Sequence, residues 1–269
     1  MKKVSSFVQA VSRILGKIPQ RVDAWLCSLN LLDRSRLVRK VTDVAIMGIE
    51  VDPIPACLGK GESAILVSNY PSVSQTLKAT IKAGCRFPGQ RFRAKAISRK
   101  EVATGANVLL KALGVDQLIF PVQKDPSGKY VLESNTLKKI LAHLDGQGNI
   151  LWLSVTGNTR GNGLLERDVR TGAALFSLKK KIPIVPMGMV TKEEEGKPKI
   201  VGIRFGEPIN LPEVGKMGEF ERSDFLLDIS RLVMCHIAAL LPPGQRGDFE
   251  DFEDKLTEVK SRLNYSPME

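Results

Sequence analysis

Residues 150 to 190 constrain the fold most, because they read as one β-α-β unit. The first strand is a short apolar run, Ile150–Val155, which ends at polar, glycine-rich residues 156–163. A helix is predicted over residues 173–181, with three lysines in its last turn, and a second strand over residues 182–187. Because that strand contains Pro183 and Pro186, it is expected to begin or end at a proline or to run at a sheet edge.

A β-α-β unit also predicts where a ligand binds. Ligands of such units collect beyond the carboxyl ends of the strands, and residues 156–160 directly follow the first strand. The sequence therefore predicts an α/β fold, with a mostly parallel central sheet flanked by helices and a binding loop after residue 155.

Composition narrows the possible partners. The chain has 269 residues, with 40 basic against 29 acidic side chains and a net charge of +11, which implies an anionic partner such as lipid headgroups, phosphorylated substrates or nucleic acid. Four cysteines without a C-x-x-C pair and two histidines argue against a zinc site or a disulfide framework and favour a reducing compartment. No apolar run approaches the roughly 18 residues of a membrane span, and no signal-peptide core is visible.

Three segments are predicted. Residues 1–40 form two basic amphipathic helices, which either pack on the protein's own core or lie in the interface of an anionic membrane with Trp25 at headgroup level. Residues 41–247 form a single α/β domain, and residues 248–269 form an acidic-then-mixed tail that is a surface helix or frayed.

The segment from Ile65 to Gln75 resembles the first motif of the phospholipid/glycerol acyltransferases, which include the lysophospholipid acyltransferases. These enzymes move a fatty acyl group from an acyl thioester to a glycerol phosphate or lysophospholipid. In them a strand ends in Asn-His, with an Asp five residues after the His. Asn69 matches the asparagine, but Tyr70 and Gln75 stand at the two catalytic positions.

Later segments are similar to further blocks of the same family. Residues 114–125 resemble a strand that ends in an arginine near the acceptor phosphate, where this chain has Lys124. Residues 156–160 resemble Pro-Glu-Gly-Thr-Arg, keeping Thr159 and Arg160 but with Gly157 at the glutamate position. Residues 171–174 with 182–186, then 204–209 and 240–247, resemble downstream blocks. The agreement runs from about residue 47 to 247 and implies one acyltransferase-like domain.

The two replaced positions bear directly on catalysis. Acyl transfer to a hydroxyl needs a base near neutral pKa, usually a histidine oriented by a carboxylate. A tyrosine titrates near pH ~10, and Gln75 carries no charge to stabilise a protonated base. Losing such a base typically slows a reaction by about 10²–10⁴-fold. Tyr70 and Gln75 are therefore expected to be inactive.

Other candidate catalytic side chains are few. His143 and His236 lie on predicted helices rather than at strand carboxyl ends, so both are expected to be structural or surface residues. Ser72 and Ser74 have no readable Ser-His-Asp arrangement, and Ser74 is expected to cap the helix that follows.

Phosphate binding is better supported than catalysis. Arg160, Lys124 and the main-chain amides of Gly157 and Asn158 form a predicted phosphate site, which the resemblance extends to Asn69 and Thr159. The alternative is that Arg160 pairs with an acidic neighbour such as Glu166.

Three functions remain open. The leading one is an acyltransferase-like protein with a degenerate site that binds a phosphate-bearing lipid or acyl thioester, or that serves as a non-catalytic partner of an active enzyme. The alternative is an active acyltransferase with a non-standard base, using acyl-CoA or acyl-carrier protein as donor. Nucleic-acid binding is disfavoured, because only 6% of residues are aromatic. No cofactor or metal is expected, no protein partner is indicated, and the predicted location is cytoplasmic, peripheral on the inner face of a membrane.

Overall fold

The computed structural model describes residues 48–84, 94–100, 103, 119–125, 130–154, 163–211 and 218–263. Apart from Gly48, these residues belong to one compact unit, Ile49–Glu269. The predicted helical pair at residues 1–40 and the predicted binding loop at residues 156–160 lie outside the described residues.

Strands and helices alternate along most of the described chain. The strands are β1 (Glu50–Val51), β2 (Ala64–Ser68), β3 (Ala94–Arg99), β4 (Ile119–Lys124), β5 (Tyr130–Val131), β6 (Ile150–Ser154), β7 (Ile184–Glu194) and β8 (Lys197–Phe205). The helices are α1 (Ala56–Gly59), α2 (Val73–Gly84), α3 (Ser134–Leu144), α4 (Gly172–Lys180), α5 (Glu219–Leu240) and α6 (Phe252–Leu263), with a 3-10 turn at Gly247–Phe249.

The described strands form one sheet in the order β1-β8-β7-β2-β6-β3-β4-β5. Only the pairs β7–β8 and β4–β5 are antiparallel, and the other five neighbouring pairs are parallel. The predicted α/β class with a mostly parallel sheet is confirmed.

Helices cover both faces of the sheet, which explains why its central strands are apolar throughout. Ile65 and Val67 of β2 point into a core shared with α3, α4, α5 and α6. Ala64 and Leu66 point the other way, into a core shared with α1 and α2. All four side chains are fully buried, so β2 lies at the centre of a three-layer arrangement.

The two prolines of β7 correct one expectation. The strand begins directly after Pro183, as one alternative predicted, but it lies between β2 and β8 and not at an edge. Pro186 is tolerated because a residue's N and C=O point to the same side of its strand. The carbonyl of Pro186 accepts from Gly206 N, just past the end of β8. The nitrogen of Pro186 therefore faces the same side, at a point where strand β8 has already ended.

Strands β7 and β8 form a ribbon that extends beyond β2, because Met187 pairs with Ser68, the last residue of β2, and β7 continues to Glu194. Glu195 and Gly196 turn the ribbon with φ of 52° and 68°, as a two-residue hairpin of the I′ type requires. The register shifts within the ribbon: Val190 faces Gly202, but Thr191 faces Ile200. The residue between them, at position 201, is the extra residue of a β-bulge.

The C-terminal residues pack against the domain. Helix α6 lies along α5, with Phe249 and Val259 buried in the core. Asp228 of α5 binds Arg262 of α6 at 3.2 Å. The described part of the predicted tail is thus a helix attached to the sheet through α5.

Candidate functional site

The connections of β2 and β6 mark the position at which open α/β sheets bind ligands. From β2 the chain passes through α2 to β3, on the far side of β6. From β6 it passes through α4 to β7, on the far side of β2 and over the opposite face. Two adjacent strands therefore send their connections in opposite directions, and a crevice opens beyond their carboxyl ends at such a switch point. We call the edge formed by the carboxyl ends of β2, β6, β3 and β4 the carboxyl edge.

Helices α2 and α4 both begin at the carboxyl edge. Neither has an acidic residue in its first turn, whereas the first turns of α5 and α6 contain Glu219, Glu221, Glu253 and Asp254. A helix N-terminus carries about half a positive charge and favours an anion. At the switch point this partial charge is not compensated by the first-turn residues of α2 and α4, so the crevice favours a negatively charged group.

Asn69 holds the carboxyl end of β2 in place. Its side chain is 1% exposed, and Nδ2 donates to Gly163 O at 3.0 Å and to Met189 O at 3.1 Å. Its Oδ1 accepts from Met189 N at 2.8 Å. The amide thus joins β2 to β7 and to the chain that returns after β6. Because both N–H groups and one lone pair of Oδ1 serve the fold, the predicted substrate contact of Asn69 stays a prediction that depends on the second lone pair of Oδ1.

The return point at Gly163 lies against the first motif. Its φ is +78°, and a Cβ there would lie 3.2 Å from Cβ of Pro71. Ser154 pairs with Ser68 at the end of β2. Residues 155–162 therefore connect two positions that both adjoin the β2 end. The predicted Gly157, Asn158, Thr159 and Arg160 are in this segment and lie outside the described residues.

Tyr70 directly follows Asn69 and is partly exposed. The helix after it begins two residues earlier than expected: Ser72, not Ser74, is the N-cap, because Ser72 Oγ accepts from Gln75 N at 3.2 Å. The prediction for Ser74 is wrong. Gln75 therefore occupies the third helical position, where a capping-box side chain would return to the N-cap residue.

Gln75 instead reaches the ribbon. Its Oε1 accepts from Ile200 N at 3.1 Å, at the bulge. The residue facing Ile200 is Thr191, whose N–H donates at 3.0 Å to Oε1 of Gln245 and whose C=O accepts at 2.5 Å from Gln245 Nε2. Two side-chain amides thus satisfy main-chain groups at the irregular pair.

Gln245 was not predicted from the sequence. It lies within the 240–247 segment that resembles a downstream block, but a glutamine beside glycine and arginine gives no signal that it pairs with a strand 54 residues away. The main-chain groups of Thr191 that it satisfies face the β2 side of β7, where β2 has already ended opposite Met187.

Lys124 is at the carboxyl edge but apart from the first motif. Two strands, β6 and β3, separate β4 from β2, which at ~4.8 Å per strand places them about 14 Å apart. The side chain is exposed, with Nζ 5.2 Å from the ring centre of Tyr130. Among the predicted site residues that are described, the structure brings Asn69, Tyr70 and Gln75 together and leaves Lys124 apart.

His143 lies away from the β2 end, and His236 is half-buried on α5. His143 contacts Ile150 O at 3.2 Å. Ile150 pairs with Ala64, so this contact is five residues, about 16 Å, before Asn69 along the strand direction. His236 is on α5, where burial and the charge of Lys260 lower its pKa below the ordinary value.

No group of three His, Cys, Asp or Glu side chains that could hold a metal ion occurs among the described residues. No described helix is long and apolar enough to cross a membrane.

No family profile matches the chain. No curated protein sequence matches it either.

Proposed function

We propose that this chain is a glycerophospholipid acyltransferase-like protein with a degenerate active site, which binds a phosphate-bearing lipid or acyl donor without transferring the acyl group. The observation that carries the proposal is the switch point: β2 and β6 end beside two helix N-termini that lack acidic residues in their first turns. A phosphate group complements that partial charge and is a ligand that helix N-termini commonly bind.

The absence of acyl transfer is inferred from the positions of the two histidines and from the residue at position 75. His143 is bound at the opposite end of the sheet, and His236 is packed in the helical layer with its pKa lowered. The acceptor oxygen of Gln75 is engaged by Ile200 N. Tyr70 is thus left without a carboxylate at position 75 to stabilise a protonated base.

The proposed place of action, an anionic membrane surface, is inferred from the charge of one segment of the protein. Residues 63–100, which include β2, α2 and β3, contain eight Lys or Arg and no Asp or Glu. A basic stretch of this kind is attracted to anionic headgroups and supports a peripheral position on the cytoplasmic face of a membrane.

Phosphate binding can be measured through Trp152, whose Nε1 donates at 2.9 Å to Ser68 Oγ, next to Asn69. The other tryptophan is removed by Trp25→Phe. Titration with a monoalkyl phosphate below its micelle concentration should change the fluorescence saturably, and the matching alcohol should not. Arg160→Gln should weaken binding about tenfold or more, as loss of a charge-assisted bond does. Lys124→Gln, on a strand about 14 Å away, should weaken it less.

Acyl transfer is then assayed with acyl-CoA and lysophosphatidate, with release of free CoA as the readout. Phosphate-dependent binding without transfer is the expected result. Transfer that disappears in Tyr70→Phe would establish the alternative, an active enzyme with a non-standard base. Equal binding of the phosphate and the alcohol would overturn the phosphate site.

A further inference from the structure

The first turns of α5 extend out of the domain. All residues of its N-terminal segment, 219–224, are exposed, and packing on the core begins at Phe225. Phe220 is 88% exposed, far more than Val131, the other exposed large hydrophobic residue of the described surface, at 43%. One exposed aromatic residue is ordinary on a protein surface, so the residues that share its face decide whether it belongs to an interface.

A depression of about 550 Å³ lies beside this helix end. It is lined by Leu227 and by charged side chains of α5 and α6, namely Asp224, Asp228, Arg231 and Arg262. Asp228 binds both arginines, at 3.0 Å and 3.2 Å, which fixes the two guanidinium groups at its rim. The depression thus combines one apolar side chain with two carboxylates and two guanidinium groups.

Four residues of α5 form a stripe along this face, at positions 220, 224, 227 and 231. Their spacing of four, three and four residues keeps them on one side of a helix. The spacing reads the same in both directions. A second α5 running antiparallel therefore sets Phe220 against Arg231 of the other copy and Asp224 against Leu227 of the other copy. The two-fold symmetry forms each of these pairs twice.

The pairing of Phe220 with Arg231 is chemically favourable, whereas Leu227 offers Asp224 no polar partner. A guanidinium stacks on an aromatic ring, and Asp224 would lie one helical turn from Arg231 of the other copy and beside its Arg262. The acidic neighbours of Phe220, Glu219 and Glu221, disfavour an anionic membrane as the partner of this face.

We propose that this stripe is a homodimer interface, in which two α5 helices pair antiparallel about a two-fold axis and Phe220 of each chain covers the depression of the other. The paired segment spans twelve residues, about 18 Å. Because an interface of that length is small, we expect a dissociation constant in the micromolar range or weaker.

Sedimentation velocity of the full chain over about 1–300 µM tests the proposal at that expected affinity. The wild type should shift from monomer to dimer, and Phe220→Ala should weaken dimerisation about tenfold or more, as central aromatic residues do. Val131→Ala, at the other exposed apolar site, is the matched control and should not change it. A monomer at every concentration, or a dimer insensitive to Phe220→Ala, would overturn the proposal.

A charge exchange tests the pairing itself. Asp224→Arg and Arg231→Asp should each weaken the dimer, and the double variant should regain affinity over both, since it restores opposite charges across the axis. A double variant no tighter than the singles would overturn the antiparallel register. Circular dichroism of each variant verifies that α5 remains folded.

Discussion

The hydrogen bond between Gln75 and Ile200 allows a quantitative test of what position 75 does. Ile200 is 2% exposed, so its N–H is shielded from water in the fold. Leaving a buried donor unsatisfied costs about 1–3 kcal/mol. Gln75→Ala should lower the free energy of unfolding by that amount.

Two carboxylate variants separate chain length from charge. Gln75→Asp is shorter by one methylene, which moves the acceptor from 3.1 Å to about 4.5 Å, beyond hydrogen-bonding distance. Gln75→Glu keeps the length and can accept the same bond. We therefore expect Asp to destabilise like Ala and Glu to remain close to the wild type.

Urea unfolding monitored by circular dichroism measures these differences. With a slope of ~2 kcal/mol per molar, a loss of about 2 kcal/mol shifts the midpoint by about 1 M. Lys78→Gln, on the same helix, is the control and should shift it little. If Gln75→Ala and Gln75→Asp unfold at the wild-type midpoint, the bond to Ile200 does not stabilise the fold and position 75 is free for another role.

Three further outcomes are expected. Asn69→Ala should lower the unfolding free energy by roughly 2–4 kcal/mol, because three buried hydrogen bonds are lost and their main-chain partners remain. Gly247→Ala should destabilise by about 1–3 kcal/mol in the same urea assay, since φ is +56° and the new Cβ would collide with the main chain of Leu165. His236 has a lowered pKa in the fold, so the unfolded chain takes up its proton first; stability should fall below about pH 6.5, by at most ~1.4 kcal/mol per pH unit.

Controls for these outcomes come from the same chain. Gly244→Ala introduces the same left-handed strain, at φ +80°, but its Cβ meets nothing within 4 Å; if it costs as much as Gly247→Ala, the collision is not the cause. His236→Gln should flatten the pH dependence of the unfolding free energy, and an unchanged slope would assign that dependence to other groups. For Asn69→Ala, a midpoint equal to that of the wild type would contradict the proposed joining of β2 to β7.

Part of the fold can be predicted from local sequence patterns. Apolar runs such as residues 150–155 and 64–68 predict buried strands because a strand covered on both faces has no polar side to show. The helix that follows residue 70 was also expected, but its N-cap was misassigned, since Ser72 and Ser74 are equivalent by sequence and only the helix boundary distinguishes them.

The candidate site was predictable in type and only partly in detail. Asn69, Tyr70 and Gln75 are neighbours in sequence, so their proximity follows from chain continuity. Lys124 was joined to them by resemblance, but the strand order inserts β6 and β3 between. Strand order is set by which faces pack, and no local pattern encodes it.

The sequence by itself determined the α/β class, the basic charge and the absence of a histidine-carboxylate pair at positions 70 and 75, because these depend on residue type and short-range spacing. The tertiary structure decided the rest: that β2 and β6 form the switch point, that Gln75 and Gln245 satisfy main-chain groups of the ribbon, and that Phe220 stands exposed on α5. Each of these depends on contacts between residues far apart in the chain, which form only when the sheet and its helical layers have packed.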